Sequence, residues 1–324
     1  MGQNNAGGWF YMRANSKASV ILIAIMLLSA ASLYSVQNNE DPQVRTITEP
    51  FNASGGVAID KEGFVYVADF GITLGNANGT RVYKVDPETG EIEIYAQGLA
   101  GASGNDFDSQ GNLIQSNIGA HRISRITPDG QVTTIANSSD GIRGPVGIAI
   151  DPNDNIFVAN CGGGTISRIS ADYSEVETFV NSNFLSCPNG LTIDDDGNLY
   201  TANFNNGRVI KITPDREVSE LVNLPGSNNG HLTYANGVLY VAARRANQIY
   251  EVTPDGEMTL LAGTGEVGNN DGPALKATMY VPNGVRVSHD GKTLYWNDAV
   301  STNGARLNPV LLRSLDLVVK DPEA

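Results

Sequence analysis

GVAIDKEGFVYVADF, residues 56–70, is the stretch on which the fold is decided. A short apolar run meets an Asp/Gly turn and returns as a second run, which is the signature of a β-hairpin. The pattern comes back five times: GNDFDSQGNLIQSNI (104–118), GIAIDPNDNIFVANC (147–161), GLTIDDDGNLYTANF (190–204), HLTYANGVLYVAAR (231–244) and GVRVSHDGKTLYWNDA (284–299). A second strand pair follows the hairpin, as in RVYKVDPETGEIEIYA (81–96), RISRITPDGQVTTIA (122–136), RVIKITPDREVSELV (208–222) and QIYEVTPDGEMTLLA (248–262), again around a Pro-Asp-Gly-like turn.

Each unit therefore holds four antiparallel strands, A to D, and the units begin 41 to 53 residues apart. Four strands at that period make propeller blades. The sixth unit runs out after VLLRSLDLVV (310–319), while QVRTITEP (43–50) resembles the strand D segment QVTTIANS (131–138). The expected architecture is all-β: a six-bladed β-propeller over residues 43–320, closed by an N-terminal strand that completes the last blade. Closure removes sheet edges that would otherwise template aggregation.

Ahead of the propeller, residues 1–36 read as a signal peptide or N-terminal membrane anchor, and 37–42 as a linker. Arg13 and Lys17 precede the apolar run VILIAIMLL (20–28), and the small residues SAAS (29–32) follow it. The apolar stretch is shorter than the ~20 residues that cross a bilayer comfortably, so a cleaved signal and a retained anchor both stay open. Either way the chain is expected to be exported, periplasmic or secreted, touching a membrane only through this segment.

The formal net charge is -14, and without the first 39 residues 19 cations face 35 acids. Such a body repels phosphate backbones, which excludes nucleic acid as a partner. DDDGN (194–198) and DPNDN (151–155) resemble calcium loops but recur at every A-to-B turn and lack the distal Glu, so turn chemistry accounts for them. There is no G-x-S-x-G elbow, H-E-x-x-H motif or phosphate loop.

Blade geometry puts the D-to-A and B-to-C loops on one face and the tight turns on the other. The long segments 71–80, 136–145, 262–282 and 298–309 all fall on the first face, where a binding site is expected. Cys161, in the B-to-C loop of blade three, and Cys187, in the D-to-A loop before blade four, share that face at neighbouring blades, which predicts a Cys161–Cys187 disulfide. Near the axis, Asn189 and Asn283 precede the strand A glycines of blades four and six, and His231 replaces glycine in blade five. A histidine there acts as a ligand contact or base, or is simply packed. Arg143, Arg244 and Arg245 give the same face a positive spot that suits a carboxylate or phosphate, unless they are solvated surface arginines. Strand B ends in Asp69, Asn117, Asn160, Asn203, Ala243 and Asp298, and Asn and Asp there ordinarily cap turns.

These residues resemble the NHL-repeat propellers and, more broadly, the senescence-marker-protein/gluconolactonase superfamily. The likeness runs from residue 43 to about 320; its most specific stretch is LLAGTGEVGNNDGPALKATMYVPNGV (260–285), similar to an NHL linker, and PNGL (188–191) resembles the gluconolactonase signature at a metal-binding asparagine. The resemblance implies a calcium- or zinc-dependent lactonase or esterase with its metal on the axis. Of its ligands only Asn189 matches; the expected Glu falls at Ser54 or Gly55 and the expected Asp at Gly230, which leaves Asn283, with Asp69 and Asp298 as carboxylates that would have to move in. The first reading is thus an exported NHL-type propeller, monomeric and without a cofactor, that binds a small molecule, glycan or protein on its long-loop face. The alternative is a metal-dependent lactonase-type hydrolase, and a third is a metal-free lyase with His231 as base.

Overall fold

The computed structural model describes residues 41–300 and 306–318; the expected signal or anchor segment lies outside the described residues. Six β-sheets follow one another along the chain. Blade one comprises Val57–Ile59, Val65–Ala68, Arg81–Val85 and Ile92–Gln97, paired in that order. Blades two to five repeat the arrangement from Ala102–Phe107, Pro145–Ile150, Pro188–Ile193 and Leu232–Ala235. In blade six, Val285–Val287, Thr293–Ala299 and Val310–Asp316 supply strands A to C, and Gln43–Thr46 lies antiparallel to Val310–Asp316 with Val44 opposite Leu315. Phe51 continues the pairing opposite Val310.

The core explains why the units form a ring. Among the described residues there are six clusters of buried apolar side chains, and each lies between two neighbouring blades. One joins Val57, Val65 and Tyr83 of blade one to Val310 and Leu312 of blade six. Another joins Ile249 and Ala262 of blade five to Trp296 and Leu315 of blade six. A blade has two apolar faces and buries neither alone, so stacking around a circle is what removes both from water. Burial falls off outward: all five residues of Leu113–Asn117, a strand B, are buried, whereas Val132–Ala136, the strand D of the same blade, buries only its last.

The A-to-B turns work as local capping chemistry. Asp151 accepts from the backbone N–H of Asn153 and Asn155 (both 2.9 Å), and its second oxygen accepts from the Asn155 amide. Asp194 does the same for Asp196 and Asn198. At the other end, strand B residues pin the loop leading into their own blade. Asn117, Asn160 and Asn203 accept from the N–H of Ala100, Arg143 and Ser186, each seventeen residues upstream, and Asp298 accepts from Tyr280.

The 262–282 segment departs from the simple four-strand repeat. Gly272–Pro273 adds a short fifth strand outside Gln43–Thr46. Arg313, fully buried, ties this segment down: its guanidinium donates to Asp298 (2.7 Å), Asp271 (2.8 Å) and the carbonyls of Thr278 and Asn270.

Cys161 and Cys187 form a disulfide between the loops of blades three and four, across 26 residues of sequence. Cross-linking a loop of that length removes denatured-state entropy equivalent to about 3 kcal/mol. The Cys161→Ser/Cys187→Ser double variant is expected to lose that much in urea unfolding. A midpoint unchanged by reductant in the wild type would contradict it.

Candidate functional site

Every strand A begins with a close approach of backbones at the shaft. A Cβ on Gly147 would come within 2.6 Å of the Asn189 carbonyl, and one on Gly190 within 2.6 Å of the His231 Cα. Glycine is therefore the residue that lets neighbouring inner strands touch. His231 breaks the rule, and its ring reaches across the axis: Cε1 lies 3.1 Å from where a Cβ on Gly104 of blade two, the opposite blade, would stand. Two residues beyond Gly104 and Gly284 on their strands A, Arg286 of blade six donates to Asp106 of blade two (2.6 Å).

A small recess at the mouth of the shaft is lined by Ser54, Ser103, Asn189 and Asn283 below and by Phe70, Phe204, Arg244, Leu74 and Leu307 around it. It shares Leu74, Arg244 and Leu307 with a wider recess of about 690 Å³ whose other walls include Asn228, Arg245, Asn247, Tyr280 and Arg306. The loop of blade one and the end of the blade six loop are stitched together over this region: Leu307 N–H donates to Ile72 (2.8 Å), and the Asn308 amide donates to Asp69 and Gly71.

Of the residues picked out from sequence, Asn189, Asn283 and Arg244 converge on the mouth. Asn189 and Asn283 use their amide N–H groups to hold the neighbouring blades, donating to the carbonyls of Asn229 (2.7 Å) and Ser54 (2.8 Å). His231 lies beneath them, 8% exposed and outside the lining, with Nε2 unpartnered. Burial, with a smaller push from Arg244, lowers its pKa to about 4, so the ring is neutral at pH 7. Arg143 is exposed and lines neither recess. Arg244 is not a solvated surface arginine: it is 4% exposed, fixed by the short 3-10 turn Arg244–Ala246 that follows strand B.

Sequence reasoning picked out Arg244 but passed over Phe70 and Phe204, its equivalents one step beyond strand B. Phe70, Phe204 and Arg244 hold that position in blades one, four and five, and all three face the mouth. The signal was present as ADF (68–70) and ANF (202–204) in the repeat itself. Leu307, Tyr280 and Arg306 come from loops without a repeat and had no such signal.

The oxygen donors at the axis do not suit a calcium or zinc ion. Ser54, Ser103, Asn189 and Asn283 supply no carboxylate, and a hard divalent cation needs several oxygen ligands, usually including charged ones. The two carboxylates that would have to move in are engaged elsewhere, Asp69 with Asn308 and Asp298 with Arg313. Among the described residues no three His, Cys, Asp or Glu side chains come together to hold a metal.

Residues 47–264 match the virginiamycin B lyase family, and the chain belongs to it. Three solved structures show the same fold. A catalytically inactive histidine-to-alanine form of virginiamycin B lyase from Staphylococcus aureus, solved with quinupristin, is 19% identical at a TM-score of 0.58, over 87% of this chain and 97% of that one. A gluconolactonase from Xanthomonas campestris is 16% identical at 0.66, over 86% and 91%. An auxiliary nutrient-binding protein from Bacteroides ovatus is 15% identical at 0.66, over 85% and 76%. No curated protein matches the sequence.

Proposed function

We propose that this member of the family is exported and binds a small molecule in the recess at the long-loop mouth of the shaft. The observation that carries the reading is a group of unsatisfied polar atoms at the mouth. Of nine buried side-chain polar atoms without a partner among the described residues, four, Arg244 Nε, His231 Nε2, Asn229 Oδ1 and Asn308 Oδ1, lie on or next to the residues that wall the recess. Buried polar atoms are ordinarily paired, so such a cluster marks a place where a ligand or water completes the bonding. The grooves on the turn face, around Lys61, Glu62 and His289, contain none. Export is supported by Arg13 and Lys17 ahead of the apolar run and by the disulfide, which belongs to an oxidising compartment.

Gly75 offers a clean test of the site. It lines the wide recess, and a Cβ added there meets nothing within 4 Å. Gly75→Trp is expected to fill the recess, weakening any ligand found by thermal-shift screening at least tenfold while leaving the melting temperature of the free protein within about 2 °C. Unchanged binding would place the site elsewhere. For export, full-length chain expressed in a bacterial host is expected outside the cytoplasm; intact chain retained inside would overturn that half of the reading.

A lyase reading draws on family membership and on the free Nε2 of His231, since a neutral imidazole with an open nitrogen is the form a general base requires. Against it stand a pKa of about 4, far below the operating pH, and an imidazole under the mouth rather than in its wall. Incubation with virginiamycin B and a panel of lactones separates the possibilities. Ring opening by a lyase leaves the mass unchanged, hydrolysis adds one water, and no reaction is the expected result.

A further inference from the structure

Among the described residues the buried side chains of Asp, Glu, Lys and Arg are Asp106, Asp108, Arg244, Asp298 and Arg313. Four of them have a charged or hydrogen-bonding partner, although Arg313 Nε has none. Asp106 pairs with Arg286, Asp298 pairs with Arg313, and Asp108 accepts from Gln110, Asn112 and the Asn112 amide. Arg244 is the exception. Its side chain makes no ion pair or hydrogen bond within the described residues, its Nε is unpartnered, and the ring of Phe204 lies 5.9 Å from the guanidinium carbon.

A guanidinium has five donors and no acceptor, and it stays charged in any protein environment. Burial pushes the pKa of Arg244 down only to about 10, so it remains a cation at neutral pH. Withdrawing such a charge from water without a counter-charge is expensive, and proteins do not ordinarily tolerate it. Among the described residues no Asp or Glu lines either recess, while Arg245 and Arg306 join Arg244 in the wider one. In a chain of net charge -14 this is a local field of the opposite sign, which concentrates anions at one spot on a surface that elsewhere repels them. Beside polar members, the linings of the two recesses include the aromatic and apolar Phe204, Tyr280 and Leu307.

We propose that the recess takes a small organic anion, a carboxylate or phosphate on an apolar body, with the oxyanion held by Arg244 and the body packed against Phe204, Tyr280 and Leu307. The proposal rests on the long-loop reading above and adds the chemical class of the ligand. Two oxygens of a carboxylate or of a phosphate match the two-pronged geometry of a guanidinium, and the partial desolvation of the site strengthens the pairing.

Benzoate, phenyl phosphate and the neutral analogue benzamide are titrated into the purified full-length protein at constant ionic strength. Thermal shift reads the affinity, and the Arg side-chain N–H resonances report which guanidinium is engaged. At least one of the two anions is expected to bind tenfold or more tightly than benzamide, with the Arg244 Nε–H resonance shifting in the unmutated protein. Arg244→Met, which keeps the apolar stem, is expected to lose that preference, whereas Arg143→Met keeps it. The resonance arm holds even if Arg244→Met folds poorly. Benzoate against phenyl phosphate decides between carboxylate and phosphate. Equal binding of benzamide, no binding of either anion, or anion binding that leaves the Arg244 resonance in place each overturns the proposal. Neutral compounds that bind and are excluded by Gly75→Trp would leave the long-loop site standing without its anion. Ligands that ignore Gly75→Trp would remove the site as well.

Discussion

Arg313→Ala is expected to cost about 3–5 kcal/mol of unfolding free energy, the range found when one partner of a buried ion pair is removed. For a domain of this size that lowers the melting temperature by roughly 10 °C. The guanidinium is wholly buried and bonded at both terminal nitrogens, Asp298 and Thr278 at one and Asn270 and Asp271 at the other, with Nε unpartnered and the Trp296 ring 5.7 Å away. Truncation strands Asp298, which is also fully buried. Burial already pushes that carboxyl up, to about 7, against the pull of Arg313. The damage extends past the pair. Asp271, held by Arg313, accepts from the N–H and hydroxyl of Thr46, so one side chain links strand C of blade six, the 262–282 segment and the Gln43–Thr46 strand. The exposed Arg45–Asp316 pair, only 2.6 Å long but with both side chains more than half exposed, is the control: Arg45→Ala is expected to cost under about 1 kcal/mol. Equal small losses for both variants in urea titration would mean that the backbone ladder alone holds blade six together.

Asp60, Asp151 and Asp194 show why the propeller was legible. Each caps its own turn through bonds to residues two and four positions ahead, so the geometry is written locally and recurs wherever the local sequence recurs. Once the blades are known to be equivalent, the face of a loop follows from its position between strands, and the disulfide between Cys161 and Cys187 follows from that. The same logic reaches Asn189 and Asn283, which sit at equivalent points of their blades. It does not reach the state of Arg244. Burial there depends on Leu307 and Tyr280, which arrive from the loops of blade six, and those loops share no pattern with one another. Arg143 lies on the same face, yet it stays exposed because no long segment folds over it. Arg313 was hidden for a related reason. In LLRSLD (311–316) it reads as the polar member of an apolar strand, and only the 262–282 segment, laid across blade six, turns its outward position into an interior one.

His231 carries the second large effect, in the pH dependence of stability. Its pKa in the folded protein is about 4, lowered by burial and by Arg244, against about 6.5 in an unfolded chain. Above pH 6.5 the imidazole is neutral in both states and contributes nothing. As pH falls from 6.5 toward 4 the unfolded chain takes up a proton that the folded protein refuses, so stability is lost across that window and levels off below it. A shift of this size corresponds to roughly 3 kcal/mol. His231→Gln removes the titrating group, so the stability of wild type minus variant is expected to fall by about that amount between pH 7 and pH 4. Taking the difference cancels Asp298 and the other carboxylates common to both proteins. The imidazole resonance of His231 is expected to titrate near pH 4 in the folded wild type. A midpoint near 6.5 would mean that water reaches Nε2 through the mouth of the shaft. A substrate could then reach it too, and the balance between a binding protein and a lyase would tip toward catalysis.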